Sequence, residues 1–189
     1  MTTQHNVYVP EGTFGVLDSG EIPVQTADWA NGLAAPMSEG VLIVTGIHTG
    51  HIRLAAQALT CPPATLSDDI WEEVVEVSVH ASTDRLQIES LEQGPVQGLP
   101  FLSPAGPGWY RLRVHAEGRN VLSDQVSTEP VEDYLVITWP APATDAVVLR
   151  SSARIEQALT QAHGTPKTSA PLPARTKEQE ALRQRLQRK

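Results

Sequence analysis

Apolar and polar side chains alternate along two stretches of the chain. In WEEVVEVSVHA, residues 71–81, Val75, Val77 and Val79 fall on one side of an extended backbone, and the polar residues between them fall on the other. This alternation is typical of a half-buried β-strand, and the β-branched valines disfavour the competing helix. GWYRLRVHA, residues 108–116, repeats the pattern. We therefore predict two strands here, each with one face in a core.

Other short runs are apolar almost throughout or end at turn-forming residues. VLIVT at 41–45 and YLVITW at 134–139 are typical of strands buried on both faces. Further candidate strands lie at 6–9, 13–17, 51–58 and 85–91. No helical pattern separates these runs, and parallel strands would need long crossovers that are usually helical. The pattern therefore predicts a mainly β fold, an antiparallel β-sandwich of Greek-key type.

The composition changes after residue 145. Ser151 or Ser152 is a candidate cap for a helix from Ala153 to His163, and Gly164 would end it. TPKTSAPLPA at 165–174 is typical of an extended linker, and a short basic segment follows it. The sequence thus predicts a β-sandwich domain over 1–145, a C-terminal helix over 146–164, and a Pro-rich linker and basic tail over 165–189.

Charge is distributed unevenly between these parts. Residues 1–145 hold five basic and 19 acidic residues, a net charge of −14, whereas residues 146–189 hold nine basic and three acidic residues, a net charge of +6. An acidic body repels nucleic acid and attracts basic surfaces. We expect a basic protein partner for the body and leave nucleic-acid binding open for the tail alone. An acidic charge that only keeps the domain soluble is the simpler alternative.

The densest acidic cluster of the body surrounds a tryptophan. Its carboxylates do not have the spacing of an EF-hand calcium loop, so a solvated face or a docking patch for a basic partner are the alternatives. The tryptophan would make a suitable interface anchor. The predicted partner-binding residues are Asp68, Asp69, Trp71, Glu72, Glu73 and Glu76.

Two histidines flank a Thr-Gly pair in TGIHTGHIRL, residues 45–54. The pair predicts a tight hairpin turn between two strands, with the histidines as its exposed flanks. A metal site is the alternative, and it would need further ligands from neighbouring strands. The four candidate ligands are His48, His51, His80 and His115.

Motifs of other function classes are absent from the sequence. There is no nucleophile elbow, no phosphate-binding glycine loop and no apolar run long enough to span a membrane. Cys61 is the only cysteine, so neither a disulfide framework nor a cysteine-based zinc site is expected within one chain. We predict a non-enzymatic cytoplasmic protein without a cofactor.

Several motifs in a fixed order resemble a known family. NVYV, ADWANGL at 27–33, VLIVTG, EVVEVSV, GWYRLRVHAEGR and EDYLVITWPAP follow one another between residues 6 and 142. This layout resembles that of the ComJ-like proteins, which include a competence-nuclease inhibitor and uncharacterised actinobacterial relatives. The resemblance implies a small intracellular β-sandwich that binds proteins, as a nuclease inhibitor or as an immunity protein for a toxin. Two alternatives stay open, a metal-binding or metal-dependent enzyme and an assembly protein that docks through its basic tail.

Overall fold

The computed structural model describes residues 3–18, 22–63 and 70–164, and within them the chain forms two β-sheets and one α-helix. The strands are β1 (His5–Val9), β2 (Thr13–Leu17), β3 (Ala34–Pro36), β4 (Val41–Val44), β5 (Thr49–Ala58), β6 (Glu73–Ala81), β7 (Gln87–Ser90), β8 (Gly94–Pro95), β9 (Gly108–Glu117), β10 (Val126–Ser127), β11 (Asp133–Pro140) and β12 (Val147–Arg150). The helix is α1 (Ala153–Gly164). The predicted mainly β fold with a C-terminal helix is confirmed.

The two sheets differ in size. The large sheet has the order β1-β5-β11-β9-β6-β12, with β10 also paired to β5, and the small sheet has the order β3-β4-β2-β7-β8. Most neighbours are antiparallel, as predicted, but β5 pairs in parallel with both β10 and β11. The connection between β5 and β11 contains β6 to β10 instead of a crossover helix. This is why the sequence pattern gave no sign of a parallel pair.

The core lies between the inner faces of the two sheets. The alternating valines of β6 point inward, and Val75, Val77 and Val79 are at most 1% exposed. They belong to the same buried cluster as Phe14 and Ile43 of the small sheet. Each buried side chain of this size contributes about 1.5–3 kcal/mol through removal of apolar surface from water. The alternation seen in the sequence therefore sets which face of each strand is inside.

The strands fall into two consecutive groups along the chain. The first group, β1 to β5, ends at residue 58, and the second, β6 to β12, starts at residue 73. Each sheet contains strands of both groups. The groups meet where β5 pairs with β10 and β11 in the large sheet and where β2 pairs with β7 in the small one. We call this boundary the seam.

The predicted hairpin in TGIHTGHIRL is wrong. The strand before it, β4, belongs to the small sheet, and the strand after it, β5, belongs to the large sheet. Residues 45–48 therefore form a crossover between the sheets, and Thr49 and Gly50 are the first residues of β5. A Cβ atom on Gly50 would overlap the carbonyl oxygen of Ser127 in β10. The glycine thus allows the close approach of a parallel neighbour and does not form a turn tip.

The C-terminal helix packs on the sandwich. The Ser152 hydroxyl accepts a hydrogen bond from the Arg154 amide at 3.2 Å, which is a helix N-cap. Ile155 is fully buried in the main core, so the first turn of α1 is fixed to the sheets. No helix in the described ranges is long and apolar enough to cross a membrane. The predicted linker and tail, residues 165–189, lie outside the described residues.

Candidate functional site

The predicted partner-binding residues have different environments. Asp68 and Asp69 lie outside the described residues. Glu73 is the first residue of β6 and is 1% exposed; its carboxylate pairs with the Arg119 guanidinium and accepts a hydrogen bond from the Ser152 hydroxyl. This carboxylate is therefore occupied inside the protein.

Glu76 lies on the outer face of the large sheet, between two arginines of the neighbouring strand. Its carboxylate accepts hydrogen bonds from Nε of Arg111 at 3.2 Å and from Nε of Arg113 at 2.7 Å. The Arg113 guanidinium also lies over the Trp139 ring, 5.4 Å from its centroid. Two cations offset one anion here, so Glu76 adds no free negative charge to the surface.

Trp71 and Glu72 lie just before β6 and are more accessible. The Trp71 ring is half-buried, and its centroid lies 5.5 Å from that of His115. Glu72 is exposed, and its carboxylate accepts a hydrogen bond from the Gly118 amide at 3.2 Å. Among the described members of the predicted set, Glu72 is thus the carboxylate that faces solvent.

The four candidate metal-ligating histidines are not brought together. His80 and His115 lie on paired strands, but their register partners, Trp109 and Val74, place them six residues apart along the sheet, a distance of about 20 Å. His51 contacts Tyr8 on the far side of β5, with ring centroids 5.5 Å apart. Within the described residues, no group of three or more His, Cys, Asp or Glu side chains is placed to hold a metal ion.

Exposed carboxylates gather instead where β6 and β5 begin and β9 ends. Asp124 and Glu129 belong to the connection between β9 and β11, residues 118–132, and Glu11 belongs to the turn between β1 and β2. Glu72 joins them through its bond to Gly118. We call this surface the acidic end, and among the described residues its four exposed carboxylates are Glu11, Glu72, Asp124 and Glu129.

Backbone hydrogen bonds hold the segments of the acidic end together. The Asp124 amide donates to the Gly46 carbonyl at 2.8 Å, and the His48 amide donates to the Gln125 carbonyl at 2.8 Å. On the other side of the crossover, the Gly12 amide donates to the His48 carbonyl at 2.6 Å. The acidic end is therefore one interlocked surface, although its carboxylates are far apart in sequence.

A buried carboxylate fixes the crossover from inside. Glu132 is fully buried and accepts hydrogen bonds from the amides of Gly46 at 2.9 Å and Ile47 at 2.5 Å. The Tyr134 hydroxyl donates to the same carboxylate at 2.6 Å. Burial raises the pKa of Tyr134 well above its ordinary value, which keeps the phenol protonated as a donor.

Two valines of the β9–β11 connection stand out at the acidic end. Val121 is 62% exposed and Val126 is 71% exposed, more than any other large hydrophobic residue described. Beside them, an open depression of about 410 Å³ lies between the loop and α1, lined by Asn120, Ser123, Ala153, Arg154 and Gln157. Exposed apolar side chains surrounded by charges are typical of a protein-binding surface.

The arginines of the sandwich are largely used internally. Arg53 forms a two-pronged pair with Asp133, and this hydrogen bonding raises the pKa of Arg53. Arg119 is fully buried against Glu73. With Arg111 and Arg113 paired to Glu76, four of the five basic residues of the predicted sandwich domain form buried or partly buried pairs with its own carboxylates, and the fifth, Arg85, forms an exposed pair with Asp84 at 4.0 Å. The exposed carboxylates of the acidic end therefore dominate the charge presented there.

Sequence reasoning missed the acidic end, because three of its four carboxylates occur singly along the chain. The one signal it used, local density of acidic residues, selected the segment from Asp68 to Glu76, in which arginines neutralise Glu73 and Glu76 but leave Glu72 exposed. A single Val or Glu in a loop is not part of a periodic pattern that would mark it as an interface residue. Only the contacts between the crossover and the β9–β11 connection show that these residues share a surface.

The fold is similar to that of a solved nuclease inhibitor. The structure of ComJ from Bacillus subtilis, described as an inhibitor of the DNA degrading activity of NucA, matches with a TM-score of 0.50 at 16% sequence identity, over 74% of this chain and 96% of that one. A structure described as crocagin biosynthetic gene J matches with a TM-score of 0.46 at 14% identity, over 75% of this chain and 98% of that one. No family model and no curated protein matches the sequence. The resemblance predicted from the motif order is confirmed at the level of fold.

Proposed function

We propose that this chain is a non-enzymatic protein-binding module that inhibits or neutralises a basic partner, a nuclease or a toxin, in the cytoplasm. The observation that carries the proposal is the acidic end, where exposed carboxylates and two exposed valines lie on segments that backbone hydrogen bonds hold together. Interfaces of this kind combine an apolar centre with a charged rim. Charge complementarity then raises the encounter rate and restricts the choice of partner.

The fold of ComJ supports the inhibitory role. ComJ is described as an inhibitor of a DNA-degrading enzyme, and enzymes that act on DNA bind phosphates through Lys and Arg. Carboxylates at the acidic end would occupy such a cationic surface in place of phosphates. In this proposal Glu72 and Trp71 contact the partner, whereas Glu73 and Glu76 keep β6 and its neighbours in position. Asp68 and Asp69 remain predicted contacts.

Charge reversal at the acidic end tests the proposal. The full chain would be immobilised at about 0.15 M salt to capture partners from its source organism, and a captured protein would then be purified and titrated by calorimetry. We expect a partner with an isoelectric point above 7, and a dissociation constant that rises roughly tenfold or more in Glu72→Arg/Asp124→Arg, because each reversed charge replaces an attraction by a repulsion.

A matched control lies at the opposite end of the sandwich. Glu39 is exposed in the turn between β3 and β4, and Asp84 is exposed after the last residue of β6, whose first residue lies at the acidic end. Glu39→Arg/Asp84→Arg therefore makes the same change in net charge away from the acidic end. This variant should bind as tightly as the unaltered chain. A partner that is acidic, or equal loss of affinity in both double variants, would contradict the proposal. The captured protein should also degrade DNA or damage cells less when an equimolar amount of the chain is present.

A further inference from the structure

A ligand that complements the acidic end would combine apolar side chains for the exposed valines with basic side chains for the carboxylates. Val121 and Val126 lie in one connection, and Asp124 lies between them. Among the described residues, the nearby Arg154 is committed to the loop itself, since its guanidinium donates to the Arg119 carbonyl and the Ser123 hydroxyl, both at 3.1 Å. A ligand of this surface must therefore bring its own positive charge.

The C-terminal segment of the same chain has that chemistry. Residues 165–189 carry seven basic and two acidic residues, a net charge of +5. Leu182 and Leu186 are four residues apart, a spacing that places both side chains on one face of a helix, and Arg183, Arg185 and Arg188 are interleaved with them. The segment thus has two leucines that can contact the two valines, and cations that can pair with the carboxylates.

The distance along the chain allows the two to meet. The same hydrogen bonds of Arg154 fasten the start of α1 to the β9–β11 connection. The 12 residues of α1 extend about 18 Å from this point, and the ten residues 165–174 can span up to about 33 Å. Residues 175–189 can therefore return to the acidic end. A tether of this length keeps their local concentration near the millimolar range.

We propose that residues 175–189 dock on the acidic end, with Leu182 and Leu186 against Val121 and Val126 and the basic side chains on the surrounding carboxylates. The docked segment occupies the surface that we assign to the basic partner, so it acts as a built-in competitor that a partner must displace. The competition rests on the function proposed above. The docking does not, because it involves this chain alone.

The distribution of lysine gives a direct test on the full chain. All three lysines, Lys167, Lys177 and Lys189, lie in residues 165–189, so every amide bond that a zero-length carbodiimide cross-linker forms between a lysine and a carboxylate of the sandwich shows which carboxylates this segment reaches. We expect Lys177 and Lys189 to link to Glu11, Glu72, Asp124 or Glu129 within one molecule. These links should disappear at about 1 M salt, where the Debye length falls to about 3 Å.

Two outcomes would overturn the docking. One is equal linkage to carboxylates at the opposite end, such as Glu39 and Asp84, and the other is the absence of links to the acidic end. A mixture of ¹⁴N- and ¹⁵N-labelled protein separates links within a molecule from links between molecules. Predominantly mixed links would mean that a second copy, and not the chain's own tail, occupies the surface.

Substitution of the exposed valines completes the test. In Val121→Arg/Val126→Arg the links should fall by roughly tenfold or more, because two cations then face the basic segment. Val24 is 48% exposed in a turn whose Thr26 hydroxyl donates to the Ser38 hydroxyl, beside Glu39 at the opposite end, so Val24→Arg should leave the links unchanged. Unchanged links in the double variant would also refute the docking. Since no partner is present, failure here leaves the proposed capture of a basic protein standing.

Discussion

At the scale of single residues, several polar side chains are buried because a specific neighbour satisfies them. His115 lies on the outer face of β9 and is 5% exposed. Trp71 covers its ring, and the Leu135 carbonyl lies 3.2 Å from its Nδ1. Burial lowers the pKa of His115 to about 4, and the positive charge of Arg113 contributes to this. The imidazole is therefore neutral in the folded protein near neutral pH.

This shift predicts a loss of stability in mild acid. The unfolded chain binds a proton at this position below about pH 6.5, whereas the folded chain does so only near pH 4. The stabilisation is therefore complete above pH 6.5 and is lost as the pH falls towards 4, by at most about 1.4 kcal/mol per pH unit. Urea unfolding at pH 7.5, 5.5 and 4.5 measures it.

Two variants isolate the effect of His115. His115→Gln should remove this part of the pH dependence, while His51→Gln, at an exposed position of β5, should keep it. If His115→Gln loses stability with pH as steeply as the unaltered protein, the burial of a neutral imidazole is not the cause.

A close backbone contact makes Gly46 hard to replace. A Cβ atom at this position would overlap the Arg119 carbonyl group, and the contact involves main-chain atoms that cannot rotate away. We expect Gly46→Ala to destabilise the fold by about 3 kcal/mol or more, as overpacking does at a rigid site. Thermal unfolding of Gly94→Ala is the comparison. Gly94 has a φ of 77° but no atom near its Cβ, so that change should cost only about 1 kcal/mol of backbone strain.

At the scale of elements, one buried ion pair joins the start of β6 to the start of α1. Arg119 donates to Glu73 and to the Gly32 carbonyl, and Ser152, the cap of α1, donates to Glu73. Within the described part of the protein, Nε of Arg119 is a buried side-chain polar atom without a hydrogen-bond partner. The ion pair therefore connects β6 to α1, and one N–H donor of its arginine makes no hydrogen bond among the described residues.

Removing one partner of this pair should cost more than removing both. Arg119→Met leaves the Glu73 carboxylate buried without its cation, and we expect a loss of about 3–5 kcal/mol. Arg119→Met/Glu73→Leu replaces the pair by apolar groups and should recover a large part of that loss. Denaturant unfolding of the two single variants and the double variant gives the coupling energy. Additive losses would show that the two charges do not interact.

The crossover between β4 and β5 shows where the sequence pattern stops being informative. The apolar runs on both sides predicted two strands, and both exist. The Thr-Gly pair between the two histidines satisfied the local chemistry of a hairpin, but Glu132, 86 residues from Gly46, binds the amides of the crossover. A local sequence pattern contains no information about a carboxylate that is so distant along the chain. β12, a short edge strand paired only to β6 among the described elements, lies at Val147–Arg150, within the range 146–164 for which a helix was predicted.

At the scale of the whole molecule, the sequence predicted an acidic body but not which of its carboxylates pair with arginines inside the protein. Counting residues treats all carboxylates alike, whereas the register of β6 and β9 places Glu76 opposite Arg113 and cancels it. Among the described residues, the exposed carboxylates lie outside the strands, where no arginine of a neighbouring strand pairs with them.

A salt titration should show that these carboxylates contribute to partner binding. The affinity for the partner should fall as the ionic strength rises, and the fall should be shallower in Glu72→Arg/Asp124→Arg than in Glu39→Arg/Asp84→Arg.

The seam makes the protein divisible into two pieces. A break within the β5–β6 connection would leave β1 to β5 on one fragment and β6 to β12 on the other, and each fragment would expose the apolar face of a partial sheet in both layers. Neither fragment should fold by itself, yet the two should reassemble when co-expressed, because β5 meets β11 and β2 meets β7. Co-elution in gel filtration, against aggregation of each piece alone, would show it. The fold would then serve as a complementation reporter, in which structure returns only when both pieces are in the same cell.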